Sequence, residues 1–147
     1  MASKKEIKFE IVTPEKTLMK EPVLQVTVPT ESGEITVLPE HAPLVSILKP
    51  GVLEVVKTDN TLEVIAVAGG FVEVLLNKIV ILADSADRAS EIDEEEAEKA
   101  RKRAEESLKN LRSEDRERFA EITAQLEREL AKSRSVKRWR NLNRHIK

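Results

Sequence analysis

Few side chains in this sequence could do covalent chemistry. Cysteine is absent, which removes thiol nucleophiles, thiolate metal ligands and disulfides together. His41 and His145 are the only histidines, too few for a His-rich metal site. Ser85 and Ser90 sit in no nucleophile motif. Glu63 and Glu73 invite reading as a general acid/base pair, but on alternating strands they are solvent-facing positions. Gly69-Gly70 is followed by no Lys-Ser/Thr, so it reads as a turn or bulge and not as a phosphate loop. What remains is charge. Residues 128–147 carry eight Lys/Arg and one acid, against net −5 over residues 1–92 and −4 over 93–127. A basic end on an acidic body expects an acidic partner surface, a nucleic acid or an anionic membrane face. Tyr is absent and aromatics total 3%, which argues against a stacking platform for single-stranded nucleic acid. The chain reads as a protein that works through surfaces, with no catalytic centre of its own and no metal or other cofactor.

Two kinds of element must carry those surfaces. All six prolines fall in residues 14–50 and all four glycines in 33–70, so turn chemistry is confined to the first half. There, Ile7, Phe9 and Ile11 alternate with Glu6, Lys8 and Glu10, and Leu24, Val26 and Val28 repeat the pattern. VLEVVK, TLEVIAVA, FVEVLL and KIVILAD follow with breaks between them. Short runs separated by turn signals predict an antiparallel sandwich or barrel. Asp59-Asn60 fits a tight hairpin loop. From residue 93 the period changes. Ala97, Ala100, Ala104, Leu108 and Leu111 form one helical stripe, and Phe119, Ile122, Leu126 and Leu130 a second. Asp93 is placed to cap the first helix ahead of Glu94, Glu95 and Glu96, and Ser113 to cap the second. The Ala-rich stripe allows close packing but buries little area, so the hairpin is expected to be weakly held. The fold expected is an all-β N-terminal sandwich of about 8–10 short antiparallel strands over residues 1–90, followed by an α-helical hairpin over 91–147. No apolar run approaches a membrane span of about 20 residues, and the first residues carry no secretory signal pattern.

The most informative stretch is GEITVLPEHAPLVSILKPG, residues 33–51. Read from its residues, it is a rigid corner between two strands. It also resembles the hallmark of the epsilon subunit of F-type ATP synthases. Phe9-Glu10-Ile11-Val12-Thr13-Pro14 is similar to the way that family begins, and VAGGFVEVLLNKIVILADSADRASEID, residues 67–93, resembles its second signature. The resemblance covers the chain in order. It departs at Thr36, where a second Gly is often found, and at Glu40, where Gly or Asn is common.

The resemblance implies a non-catalytic rotor subunit that couples ion-driven c-ring rotation to ATP synthesis. Its partners would be the gamma subunit, the c-ring and the beta and alpha subunits of the catalytic hexamer, at the cytoplasmic face of a bacterial membrane or, second to that, on a plastid thylakoid. Membrane association would be indirect. It implies c-ring contact around Glu31, Ser32, Gly33 and Glu34, with His41 near gamma. It implies a hairpin that extends and blocks ATP hydrolysis, for which Arg128, Lys132, Arg134, Lys137, Arg138, Arg140 and Arg144 would meet an acidic beta segment. Some members bind ATP through an I-D-x-x-R-A motif. Here Ile92, Asp93, Ala97 and the downstream Arg103 match, but Glu96 replaces the arginine, so ATP is expected to be at most a weak regulatory ligand. The alternative is a basic-tailed nucleic-acid-binding module, whose affinity would fall steeply with salt.

Overall fold

The computed structural model describes residues 5–112 and 114–145, the side chain of His145 excepted. The alternating runs become seven strands: β1 (Ile7–Val12), β2 (Thr17–Thr30), β3 (Gly33–Val37), β4 (Leu44–Ile47), β5 (Gly51–Lys57), β6 (Leu62–Leu75) and β7 (Lys78–Arg88). A single 3-10 turn at Ala89–Glu91 leads into α1 (Glu94–Lys109) and α2 (Arg116–His145). The sandwich-then-hairpin expectation holds. The strand count among the described residues is lower because β2 and β6 each run for 14 residues and belong to both layers.

One layer is built from β4, the second half of β6, the first half of β7, β1 and the first half of β2. The other contains β3, the second half of β2, β5, the first half of β6 and the end of β7. All pairings are antiparallel except β1 with β7, which run parallel. Phe9, Ile11, Val26, Leu53, Ile65 and Ile81 fill the space between the layers. That is the period-two pattern doing what a half-buried sheet requires.

Gly69-Gly70, expected as a turn or bulge, is instead part of β6. The β6–β7 register is unshifted across it, from Ala68↔Ser85 to Gly70↔Ala83. Both glycines have positive φ, 70° and 110°, which turns the strand from one layer to the other. A Cβ on Gly70 would lie 1.9 Å from the Leu82 carbonyl oxygen. Asp59-Asn60 forms the expected hairpin turn, with Asn60 at φ 68° and the Asp59 carboxylate accepting from both the amide and the hydroxyl of Thr61. Those two bonds hold the Asp59 carboxyl below its ordinary value.

The corner at residues 38–43 also forms, between β3 and β4, and Glu40 takes φ 66°. The residue that departs from the family's Gly or Asn therefore sits in left-handed backbone, which costs a residue with a Cβ about 1–2 kcal/mol. Its carboxylate is 2.8 Å from Lys5 Nζ across the surface.

α1 starts where expected. The Asp93 carboxylate accepts from the amides of Glu95 and Glu96, with three acids in the first turn. Ser113 lies outside the described residues. Asp115 accepts from the Arg118 amide at 3.2 Å and supplies a cap for α2. Ala97 and Ala104 are buried as the first stripe requires. The second stripe is only partly covered: Phe119 is 52% exposed and Ile122, Leu126 and Leu130 are half-buried, whereas α2 fully buries Glu129, Ala131, Ser135 and Val136. α2 packs against β5 and β6 on one side and α1 on the other. Val64 and Ala66, buried but outside the sandwich core, mark the sheet surface beneath it. The residues meeting there are small, which lets the backbones approach closely but limits the stabilisation. A buried Val contributes about 1.5–3 kcal/mol and an Ala much less.

Candidate functional site

Three surfaces gather the charged and apolar residues that could meet a partner. The first is at the β2–β3 turn. Glu31, Ser32, Gly33 and Glu34 are all exposed there. The turn is held by the Thr30 hydroxyl donating to the Gly33 carbonyl at 2.6 Å and by the Glu31 amide donating to the Ile47 carbonyl at 3.2 Å. Gly33 takes φ 113° with open space around it. His41 is half-buried on the 38–43 corner, its Nδ1 2.7 Å from the Ala42 carbonyl. These four turn residues are one cluster, and His41 belongs to the separate loop.

The second surface was not read from the sequence. Ile47, Phe71 and Leu82 face one another across β4, β6 and β7, in the register Ile47↔Phe71↔Leu82. All three are exposed, as are Val45 in the neighbouring row and Leu75 further along β6. Five exposed large apolar residues lie on one sheet face around the exposed Glu73, an arrangement that offers a docking surface. A signal for it was present. FVEVLL and KIVILAD carry apolar residues in both phases of the alternation, which means both faces of those strands avoid water.

The third surface is the hairpin and its seat. Of the basic residues proposed to meet an acidic partner, Arg128, Arg134, Lys137 and Arg144 are exposed. Lys132 is half-buried and 3.5 Å from Glu129. Arg138 donates to Glu54 on β5, and Arg140 to Glu94 on α1. The Glu54 carboxylate, with a smaller contribution from Glu34, holds the Arg138 guanidinium more firmly protonated than usual. Glu63, expected to face solvent, instead pairs with Arg88 at 3.2 Å, and Arg88 also donates to the Leu18 carbonyl. Glu73 is exposed; the two acids share no site.

Ile92, Asp93, Ala97 and Arg103 do come together. They line a cavity of about 370 Å³ between the sandwich and the hairpin, with Glu96 on its wall. Asp87, Glu91 and Glu129 line it as well, against Lys16, Arg88, Arg103 and Lys132. Arg88 is already committed to Glu63. Five carboxylates facing four cations make this a poor receptacle for a triphosphate. Among the described residues no group of three or more His, Asp or Glu is placed to hold a metal ion.

A two-layer sandwich with an exposed apolar strip, carrying a charged helical hairpin, is an architecture suited to a docking subunit of a larger assembly. Residues 6–89 match the family model described as ATP synthase, Delta/Epsilon chain, beta-sandwich domain, and residues 90–137 match ATP synthase, Delta/Epsilon chain, long alpha-helix domain. The chain is 47% identical over 115 residues to the ATP synthase epsilon chain of Desulforamulus reducens, covering 78% of this chain and 86% of that one. It is 38% identical over 131 residues to that of Bordetella avium, covering 89% and 92%. It also superposes on a chain of the Euglena gracilis mitochondrial ATP synthase OSCP/F1/c-ring structure with TM-score 0.71 and 27% identity, over 86% of this chain and 79% of that chain. The chain belongs to the ATP synthase epsilon chain family, a non-catalytic subunit of that complex. Nothing in these relationships supports the alternative of a nucleic-acid-binding module.

Proposed function

We propose that this chain is a central-stalk subunit that docks on gamma through the apolar strip Ile47–Phe71–Leu82 and meets the c-ring loops through the turn at Glu31, Ser32, Gly33 and Glu34, with His41 nearer gamma. The observation that carries the reading is the strip itself. It lies on a hydrogen-bonded sheet, so its shape is fixed before the partner arrives and little ordering entropy is lost on docking. The exposed turn is polar and stiffened by two hydrogen bonds, which suits contact with polar loops. The subunit is peripheral: among the described residues no helix is long and apolar enough to cross a membrane. The relatives' bacterial origin supports the cytoplasmic face of the cell membrane as its location.

The hairpin acts as a brake on ATP hydrolysis. When it leaves its seat, Arg138 and Arg140 are released from Glu54 and Glu94. They join Arg128, Lys132, Arg134, Lys137 and Arg144 in meeting an acidic segment of the beta subunits in the alpha/beta hexamer. Bound ATP is a weak regulator at most, because the cavity at Ile92, Asp93, Ala97 and Arg103 is acidic. Phe71→Ser removes the centre of the strip. It should weaken binding to gamma at least tenfold while leaving the melting temperature of the isolated chain nearly unchanged. Unchanged gamma binding would refute the docking surface. Cutting after residue 92 should raise hydrolysis by the reconstituted soluble catalytic complex several-fold; equal rates would refute the brake.

A further inference from the structure

β4 is an edge strand. Among the described residues β6 is the only strand it pairs with, and its backbone groups point alternately to two sides. The Leu48 amide donates to the Gly70 carbonyl on β6 at 2.9 Å, whereas the Ile47 carbonyl looks the other way and accepts from the Glu31 amide at 3.2 Å. In an antiparallel ladder each residue directs its amide and carbonyl to one side and the next residue to the other. Val45 therefore shares the outward side with Ile47. The end of β2 covers only part of that side: Glu31 meets Ile47 and the Pro29 carbonyl accepts from Lys49 at 3.0 Å. The chain then turns away into β3. The Val45 amide and carbonyl and the Ile47 amide are left facing outwards with no backbone partner among the described residues.

Open edges invite pairing with another chain, and folded proteins guard them with charge. β3, the edge of the other layer, carries Glu34. β4 reads LVSI and carries no charge. The residues that open the edge also open the face, since Val45 is 72% and Ile47 46% exposed. A segment laid beside β4, about 4.8 Å away, would satisfy all three backbone groups and set its own side chains next to Val45 and Ile47. The β2–β3 turn stops such a segment at one end. Charge narrows the occupant. Glu31 sits where the edge closes, and Glu73 stands opposite Val45 in the register with no ion pair among the described residues. Residues 1–92 carry net −5. A second copy of this chain would bring the same acids to the junction, whereas a segment carrying Lys or Arg would neutralise them.

We propose that the partner covering the strip adds a short β-strand, apolar towards Val45 and Ile47 and flanked by basic residues, to the open edge of β4. This rests on the gamma-docking reading and specifies its geometry: main-chain hydrogen bonds supply the alignment and the strip's side chains the selectivity. Because strands pair only in register, the added ladder fixes the angle at which the sandwich is held, which packing of apolar side chains alone does not.

The test compares Val45→Pro with Val45→Ala in gamma binding by the full chain. Both shorten the contact with the partner's side chains. Only Val45→Pro deletes the outward amide, and it leaves the bonds to β6 in place and suits the extended Leu44 before it. Val45→Pro should bind about five- to 150-fold more weakly than Val45→Ala, because a carbonyl of the partner is left unpaired. The two variants should melt at similar temperatures. Amide exchange in the unsubstituted chain gives a second readout: the Val45 and Ile47 amides should exchange fast in the free chain and at least tenfold more slowly in the gamma complex. Affinity should fall as salt is added. Equal binding by the two variants, unprotected Val45 and Ile47 amides in the complex, or salt-insensitive binding would overturn the proposal. So would a dimer of the isolated chain that Val45→Pro abolishes, which would assign the edge to a second copy. Phe71→Ser keeps the two readings apart. If it weakens gamma binding while Val45→Pro matches Val45→Ala, the strip stands and the added strand falls; if no variant weakens binding, both fall.

Discussion

Enlarging a single methyl group should unseat the hairpin. Ala131 is 1% exposed and the neighbouring Ser135 is fully buried, on the stretch of α2 held between the sheet and α1. Ala131→Leu adds three carbons where both sides are occupied. Overpacking of this kind costs about 1–3 kcal/mol, and the cost can be avoided only by moving α2. At 1.4 kcal/mol per factor of ten, the undocked population should rise by about five- to 150-fold. The sandwich core, built from other residues, should keep its melting temperature. The absence of cysteine makes the assay direct. Cysteines introduced at Thr58, on the β5–β6 turn, and at Asn141, on α2, can be labelled without background, and both positions are exposed. Fluorescence distances should lengthen and α2 amides should exchange faster, while Ala120→Leu, at an exposed position of the same helix, should do neither. If Ala131→Leu leaves both the distance and the exchange unchanged, the seat has slack and close packing does not set the hairpin's position.

Three smaller effects follow from the same geometry. Glu54→Gln breaks the contact to Arg138, whose side chain is half exposed; a double-mutant cycle with Arg138→Gln should give a coupling of about 0.2–1 kcal/mol that fades with added salt, and a coupling insensitive to salt would contradict an ionic latch. Gly70→Ala should destabilise the sandwich by about 3 kcal/mol or more, because its Cβ would meet the Leu82 carbonyl, whereas Gly33→Ala, with open space around it, should cost only about 1–2 kcal/mol of backbone strain; urea titration separates the two. Glu40→Gly relieves the left-handed strain at φ 66° and should be neutral to about 1 kcal/mol stabilising, with a fall in the urea midpoint counting against the strain argument.

The sandwich was legible because one face of each strand is buried and the alternation records that directly. The turn at Asp59-Asn60 and the cap at Asp93 were legible because their chemistry is local. Gly69-Gly70 was misread because two glycines between apolar runs look the same whether the chain reverses or bends through a corner; only the unshifted register with β7 tells these apart. The fully buried face of α2 was not legible for a different reason. Phe119 and the leucines suggested one stripe, but a helix squeezed between a sheet and a second helix selects for small residues, and Ala131 and Ser135 carry little hydrophobic signal. The apolar strip needs register to be seen, since Ile47, Phe71 and Leu82 come from three runs that no local pattern aligns. The acidic replacement at Glu96 was legible as a change of charge, though the carboxylates of Asp87 and Glu129 that reinforce it reach the cavity only through folding.

The corner at Gly69-Gly70 also bears on how the chain carries load. Because β6 passes through both layers while staying paired to β7 from Ile65↔Arg88 to Leu75↔Lys78, the two layers are joined by continuous backbone and not by side-chain contact alone. A twisting force applied to the strip at Phe71 and resisted at the far layer pulls along this ladder. Its hydrogen bonds are then strained side by side and share the force, instead of parting one after another as in a peeled hairpin. A component turned at one face and gripped at another is stiff in the direction that matters when its longest strands run from the driven surface to the loaded one.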